Sequence, residues 1–313
     1  MQYLLRRFGS SVVVLFGVTV ITYSLVHLTP GDPARTVLAE RQGQQPSETA
    51  VQEFRAEAGL DDPIPLQYLH WMADVLQGDL GRSYYGDGPV LDLLVASLPN
   101  TIELAGASIL VAVAVSIPAG VVSAVYRGTW LDYTSQVIAL LGVSMPNFWL
   151  GYLLIIGGAL HLGVFPVYGA GTMGHLVLPA VTLGTGMAAV LTRLVRSSLL
   201  ETLEEPYVDA ARARGLPERA VVVAHALRTA LLPVVTMIGL QLGYVLGGAV
   251  VVEIVFQRPG LGMLLVDAVF ARDFPVIQGV TLLIGICFVV VNLGTDLAYQ
   301  HLDPRVSLGG GGA

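Results

Sequence analysis

Five charged residues lie within or beside long apolar stretches of the sequence: Glu103, Arg193, Arg196, Glu253 and Asp296. A charged side chain at the centre of a bilayer costs roughly 3 kcal/mol or more, so such residues are candidates for function. Most of the five lie near the ends of their stretches, where a side chain can extend to the membrane surface. Glu253 is the exception, and two roles stay open for it: part of an outer gate, or an ion pair with Arg258.

The sequence lacks the residue combinations that the common catalytic mechanisms require. Intramembrane proteolysis needs a serine with a histidine base, or two aspartates, at one depth. Ser144 has no histidine at matching depth in a later stretch, and Asp296 has no acidic partner. The sequence has no lysine, which excludes a P-loop and a lysine Schiff base. The histidines lack metal-ligand spacing, and Cys287 is a lone thiol in an apolar run. We predict no catalytic residue, metal or cofactor in this chain, so that any ATP driving it is hydrolysed by another subunit.

Two uncharged polar residues, Asn147 and Gln241, lie deeper in the apolar stretches, with Ser144 and Thr236 as lesser candidates. Such side chains could line a translocation pathway. They could equally form ordinary hydrogen bonds between membrane helices. Both interpretations stay open.

The polar stretch 204–217 has the pattern of a short helix between apolar segments. Pro206 suits the first helical position, Arg212 and Arg214 lie towards the negative end of the dipole, and Gly215 can take the left-handed cap. A helix this short is marginal by itself, so its flanks or a partner must hold it. Three small residues would let another surface approach the backbone closely: Ala210, Ala211 and Ala213.

Composition predicts an all-α polytopic membrane protein. The 313 residues are 54% hydrophobic and 12% charged, about half the charged fraction of soluble domains. Apolar stretches near the length of a membrane span recur, and we predict six transmembrane helices from them. The stretches lie at about residues 9–28, 101–126, 133–160, 176–198, 229–256 and 276–299.

The predicted organisation has four parts. Residues 1–29 hold the N-terminus and an uncleaved first span, with a signal peptide as the alternative. Residues 30–98 form an acidic insertion with eleven acidic residues and four arginines, helical near 48–58 and 66–76. Its Trp71, Tyr84 and Tyr85 lie either at the membrane interface or in a local core. Residues 99–300 form a five-helix core that includes a loop at about 199–228, and residues 301–313 form a tail.

Arginine placement predicts the orientation. With the N-terminus inside, ten arginines fall in inner segments and, outside the acidic insertion, only Arg258 and Arg272 fall in outer ones. The positive-inside rule then places both termini and the helix near Pro206 in the cytoplasm, and residues 30–98 outside.

The segment Asp209-Ala210-Ala211-Arg212-Ala213-Arg214-Gly215 resembles the EAA loop of the membrane subunits of binding-protein-dependent ABC importers, with Asp209 in place of glutamate. Leu232-Pro233 follows at a longer spacing than in the general pattern, as in the peptide and nickel permease subfamily. The long insertion is similar to the "B" type of that subfamily. Four further stretches also fit the subfamily: 28–33, 78–83, 99–104 and Asp303-Pro304-Arg305.

The resemblance implies the type I ABC importer permease fold and a plasma-membrane location. It implies four kinds of partner: a second permease, two cytoplasmic ATPases, an extracytoplasmic substrate-binding protein and the lipid bilayer, with no nucleic acid. The substrate would be a di- or oligopeptide, with nickel or oligosaccharides as alternatives and an ATP-independent secondary carrier as the competing class.

The resemblance also supplies a role for the short helix, as a coupling helix that docks on an ATPase. The implied coupling residues are Glu205, Pro206, Tyr207, Asp209, Ala210, Ala211, Arg212, Arg214, Gly215 and Leu216. For the pathway or gate, the predicted residues are Asn147, Gln241 and Glu253.

Overall fold

The computed structural model describes residues 2–28, 32–86 and 88–302, except the side chains of 2–6, 8, 25–28, 33, 40, 42 and 296–302. Three predictions fall partly or wholly outside these residues: the role of the Asp296 side chain, the tail 301–313 with its Asp303-Pro304-Arg305 motif, and the centre of the 28–33 motif. The described chain is helical, with one isolated bridge between Arg82 and Pro89.

Helix α1 is followed by three helices in the acidic insertion. The four are α1 (Gln2–Leu28), α2 (Pro33–Gln42), α3 (Glu48–Glu57) and α4 (Ile64–Leu76). The prediction of helices near 48–58 and 66–76 is confirmed, whereas α2 was not predicted. Asp32 caps α2 by accepting from the Ala34 N–H at 3.1 Å, and Ser47 caps α3 by accepting from the Ala50 N–H at 3.2 Å.

The aromatic residues of the insertion form a local core. The ring of Trp71 lies 5.6 Å from that of Tyr23 and 6.0 Å from that of Tyr68. Tyr84 lies 5.4 Å from Phe54. The local-core interpretation therefore holds for Trp71 and Tyr84, because their rings pack on other aromatic rings of the chain.

The long apolar helices match the predicted spans. They are α5 (Val90–Val125), α6 (Trp130–Ser144), α7 (Asn147–Leu154, continued by π-helical turns Ile155–His161), α8 (Gly174–Leu203), α12 (Leu232–Val255) and α14 (Phe274–Leu302). Between α8 and α12 lie α9 (Pro206–Ala213), α10 (Glu218–Ala220, continued by π-helical turns Val221–Ala226) and α11 (Leu227–Ala230). Between α12 and α14 lies α13 (Leu261–Ala271).

Among the described residues, four helices are long and apolar enough to cross a membrane, and the α6–α7 pair makes a fifth if it is one span. The apolar part of α1, Gly9–Ser24, is shorter than these. The total of six spans therefore stays a prediction.

The span predicted for residues 133–160 is bent by 107°. The bend lies at Met145 and Pro146, both with extended backbone angles. A proline disfavours helical geometry in the residue before it and has no N–H to continue the helical ladder. Helix α6 therefore ends at Ser144, and α7 begins anew at Asn147.

The chain divides into two compact units, residues 1–99 with 259–289 and residues 100–258 with 290–313. In the first unit, α13 and the start of α14 pack on the first turns of α5 through Val90, Leu94 and Val280. In the second unit, α8 lies at the centre of a core that includes Leu183, Met187 and Leu191. A Cβ on Gly184 would lie 2.7 Å from the Ser108 carbonyl oxygen, so this glycine lets α8 and α5 pack closely.

Candidate functional site

Helix α9 begins and ends as its sequence predicts. Glu205 is extended at the N-cap, Pro206 takes the first helical position, and Gly215 has a φ of 80° just after the end. Asp209 lies in the first turn and Arg212 in the last, in the order that the helix dipole favours. The eight-residue helix is therefore specified locally, but its position depends on packing.

The inner face of α9 packs on its own chain. Val208 and Ala211 are 0% and 1% exposed, and they join a cluster with Leu199 of α8 and Ala124 of α5. The other members are Val221, Val222, Ala226 and Ala230. Of the three alanines expected on a contact surface, Ala211 therefore faces inward, and only Ala210 and Ala213 are exposed. The flanks hold this helix, one of the two ways foreseen for stabilising it.

Arg212 connects α9 to the segments on both sides. Its guanidinium donates to both carboxylate oxygens of Glu218, at 3.2 and 3.0 Å, to Asp209 at 3.0 Å and to the Leu203 carbonyl oxygen at 3.3 Å. The hydrogen bonds from Arg212 lower the pKa of Glu218, and the same bonds raise the pKa of Arg212. This paired geometry is the one that arginine and carboxylates favour. Asp209 and Arg212 thus help fold the loop.

The outer face of α9 remains exposed and mixed in character. Tyr207 is 43% exposed, and its hydroxyl donates to Thr229 at 3.1 Å. Asp209, Ala210, Arg214 and Leu216 are exposed as well. The inner face of α9 is packed, whereas the described part of the chain leaves its outer face uncovered. This exposed face is a surface on which a partner could dock.

A buried ion pair joins the helices that hold α9. Asp132, at the start of α6, is 2% exposed and accepts two hydrogen bonds from Arg196 of α8, at 2.8 and 2.9 Å. It also accepts from Ser123 at 2.6 Å, from the Gly128 N–H at 3.0 Å and from Gln136 at 2.8 Å. Both of its oxygens are thus satisfied, as a buried carboxylate requires. The end of α8 is thereby fixed to the α5–α6 turn.

Asn147 lines a groove of about 540 Å³ at the α6–α7 bend. The bend contributes residues 143–148, and α12 contributes Tyr244, Gly247, Gly248 and Val251. A Cβ on Gly248 would lie 3.7 Å from Asn147 Nδ2, so the two helices are close there. Gln241 is outside this lining. It precedes Tyr244 by three residues and therefore lies one turn away on the same face of α12.

Glu253 is fully buried and is not among the residues that line this groove. Thr101 donates to its carboxylate at 2.6 Å. Arg258 forms its ion pair with Glu103, at 2.6 Å, and donates to the Asn100 carbonyl oxygen at 3.2 Å. The main-chain N–H of Arg258 also donates to the Glu253 carbonyl oxygen, at 2.8 Å. Both roles considered for Glu253, part of an outer gate or an ion pair with Arg258, stay predictions.

Among the described residues, no three or more histidine, cysteine or acidic side chains are grouped so that they could hold a metal ion.

The sequence matches two family models. Residues 116–308 match the binding-protein-dependent transport system inner membrane component, and residues 1–105 match the N-terminal part of the membrane component of such systems. The chain belongs to this family. The importer permease predicted from the segment Asp209–Gly215 is thus confirmed.

Curated relatives extend the match over almost the whole chain. The permease is 40% identical to the dipeptide transport system permease protein DppB of Escherichia coli K12, over 98% of each chain. It is 41% identical to the glutathione transport system permease protein GsiC of the same strain, over 98% of this chain and 99% of the relative.

Solved structures support the fold. An inward-facing structure of the MetNI methionine ABC transporter aligns with a TM-score of 0.60 at 23% identity, covering 70% of this chain and all of that one. An amino acid ABC transporter aligns with a TM-score of 0.54 at 13% identity, covering 67% and 94%. The expected type I importer permease fold is thus confirmed, in a multi-pass membrane protein.

Sequence reasoning missed the role of Asp132 in this permease. Arg196 was noted as a charge near a span end and assigned to the membrane surface, whereas it is 23% exposed and paired with Asp132. The available signal was an aspartate in the first turn of a span, since a carboxylate at that depth needs a partner.

Proposed function

We propose that this permease, together with a second permease, forms the pathway through which di- or oligopeptides enter the cell. A substrate-binding protein would deliver the peptide, and two ATPase subunits would drive the transport. The observation that carries the proposal is the 40–41% identity, over nearly full length, to permeases named for dipeptide and glutathione transport. Both of those names specify short peptides.

Helix α9 is proposed as the coupling helix. Its exposed face offers Tyr207, Ala210 and Arg214 to a groove on an ATPase, with Glu205, Pro206, Gly215 and Leu216 at its ends. Its buried face is packed on α5 and α8, so a movement of α9 would be carried into membrane helices. Asp209, Ala211 and Arg212 act within the loop, where they fix the helix that docks.

The proposed orientation has both termini and α9 in the cytoplasm and the 30–98 insertion outside. The support is the arginine distribution along the sequence, which the positive-inside rule converts into a topology. The acidic insertion would then help to receive the binding protein. The chain itself would carry no nucleotide site, because it has no lysine for a P-loop.

We place the pathway along the groove at the α6–α7 bend, with Asn147 in its wall and Gln241 one turn further along α12. Glu253 is proposed to act at an outer gate of the pathway. The closed state of this gate would account for the full burial of the Glu253 side chain. In a Cys287→Ser background, a water-soluble maleimide should label Asn147→Cys readily and Glu253→Cys only during transport. Equal labelling of both positions in the resting complex would contradict these assignments.

The substrate class is tested by uptake into vesicles that contain the reconstituted complex of two permeases, ATPases and binding protein. Labelled dipeptides and oligopeptides are compared with nickel and an oligosaccharide, the alternatives within the subfamily. We expect ATP-dependent accumulation of peptides alone. Accumulation of nickel or oligosaccharide without peptide would refute the peptide assignment, and uptake without ATP would favour a secondary carrier.

A further inference from the structure

A cavity of about 320 Å³ lies in the first compact unit, between the end of α3, one face of α4 and the outer parts of α1 and α14. We call it the aromatic pocket, because the rings of Tyr23, Trp71, Tyr84 and Phe274 line it. Two carboxylates, Glu57 and Asp74, line it as well. The peptide pathway proposed above does not use this pocket.

One wall of the aromatic pocket is fixed by hydrogen bonds. Gln67 is 8% exposed, and its amide nitrogen donates to the carbonyl oxygens of Leu60 at 3.2 Å and Asp62 at 2.6 Å. Its amide oxygen accepts from the Tyr23 hydroxyl at 3.4 Å. These bonds connect the α3–α4 turn, α4 and α1, so the wall is formed before any ligand arrives. Preorganisation of this kind lowers the entropic penalty of binding.

A hydrogen-bond donor in the pocket wall has no acceptor among the described residues. The indole nitrogen of Trp71 is buried, and the described residues supply no partner for it. An indole N–H is only a donor, and a buried donor without an acceptor is destabilising. Trp71 packs against Tyr23 and Tyr68, which restrains its ring from turning towards solvent. A ligand whose acceptor oxygen reached this buried nitrogen, after a small shift of the wall, would satisfy the group.

The pocket also favours a positive charge. Glu57 and Asp74 form no ion pair with a basic side chain among the described residues. Its one histidine, His70, lies 3.7 Å from Asp62, a third carboxylate near the pocket. Both residues are exposed, and two carboxylates in a pocket that aromatic rings also line attract a cation by charge and by cation–π interaction.

We propose that the aromatic pocket binds the amino terminus of a peptide. The α-ammonium group pairs with the carboxylates of Glu57 and Asp74, and a neighbouring carbonyl oxygen accepts from the Trp71 indole N–H. An amino terminus carries a cation and an acceptor within one residue, which is the combination that this wall lacks. The choice of a peptide rests on the proposed function, whereas the pocket chemistry does not.

The test is calorimetric titration of the assembled permease pair in lipid nanodiscs, without ATPases or binding protein. The probes are dialanine, N-acetyl-dialanine, which has no ammonium group, and butylamine, which has no carbonyl. We expect saturable binding of dialanine and binding about tenfold or more weaker for both other probes, as for the loss of a hydrogen bond to a charged group.

Three variants locate the site. Glu57→Gln and Asp74→Asn should weaken dialanine binding about tenfold, and Trp71→Phe, which keeps the ring but loses the N–H, should also weaken it. Glu53→Gln is the matched control, because Glu53 is an exposed carboxylate of α3 outside the pocket, and it should bind normally.

Several results would overturn the proposal: no saturable binding, N-acetyl-dialanine binding as tightly as dialanine, or pocket variants that behave like Glu53→Gln. Butylamine binding as tightly as dialanine would show a site for alkylammonium groups and overturn the peptide assignment. Because binding is measured without transport, its failure leaves the uptake experiment intact. A complex that imports no peptide, in turn, would leave the binding result interpretable.

Discussion

Gly215 ends α9 in a backbone conformation that few other residues adopt. Its φ of 80° lies in the left-handed region, and no atom of the described chain lies within 4 Å of the position that a Cβ would occupy. This conformation agrees with the left-handed cap predicted for Gly215 from the sequence. The requirement for glycine is therefore conformational, since a side chain there strains the backbone rather than collides with another part of the described chain.

Gly215→Val should therefore uncouple ATP hydrolysis from uptake while leaving membrane insertion intact. A β-branched residue in the left-handed region costs about 1 to 2 kcal/mol, which would shift the end of α9. Uptake per ATP hydrolysed by the reconstituted complex is the measurement. Gly215→Asn is the control, because asparagine tolerates this conformation and should retain most of the coupling. Normal coupling in the valine variant would refute this role.

At the scale of secondary-structure elements, the sequence predicted those helix ends that a few neighbouring residues determine. Pro206 and Gly215 specified α9, and Gly59 and Gly78 take positive φ in the turns that follow α3 and α4. The bend between α6 and α7 was not predicted, although Pro146 was visible, because membrane helices often continue through a proline.

The pairing of Asp132 with Arg196 was beyond sequence reasoning for a different reason. The two residues are 64 positions apart, and only the packing of α6 against α8 brings them together. Likewise, the periodicity of so short a helix did not reveal that Ala211 faces its own chain. Local chemistry selects an element, whereas tertiary contacts decide which of its faces is buried.

Asp132→Asn should loosen the joint between α6 and α8. The variant keeps the size of the side chain but leaves Arg196 without its counter-ion, and breaking a buried pair on one side costs about 3 kcal/mol. We expect a clear fall in the thermal unfolding temperature of the purified permease. Ser123→Ala removes one hydrogen bond from the same carboxylate, about 1 kcal/mol, and should have a smaller effect. Equal unfolding temperatures for the two variants would show that the charge pair contributes little.

The whole molecule combines membrane helices with a loop whose helix α9 is packed on one face and exposed on the other. All 16 basic residues in the Lys+Arg total are arginine. Arginine holds carboxylates in paired geometry, as at Asp132 and Glu218, but it does not replace the P-loop lysine. We propose that the work of transport enters through a contact with a partner, and that the exposed face of α9 is the surface for that contact.

The purified permease should accordingly hydrolyse no ATP, either alone or with the second permease. Phosphate release should begin only when the ATPase subunits are added. A complex whose ATPases lack their P-loop lysine is the control for contaminating activity, and it should remain inactive. Turnover by the permease in the absence of those subunits would show that the chain contains a nucleotide site of its own, and the division of labour proposed here would then be wrong.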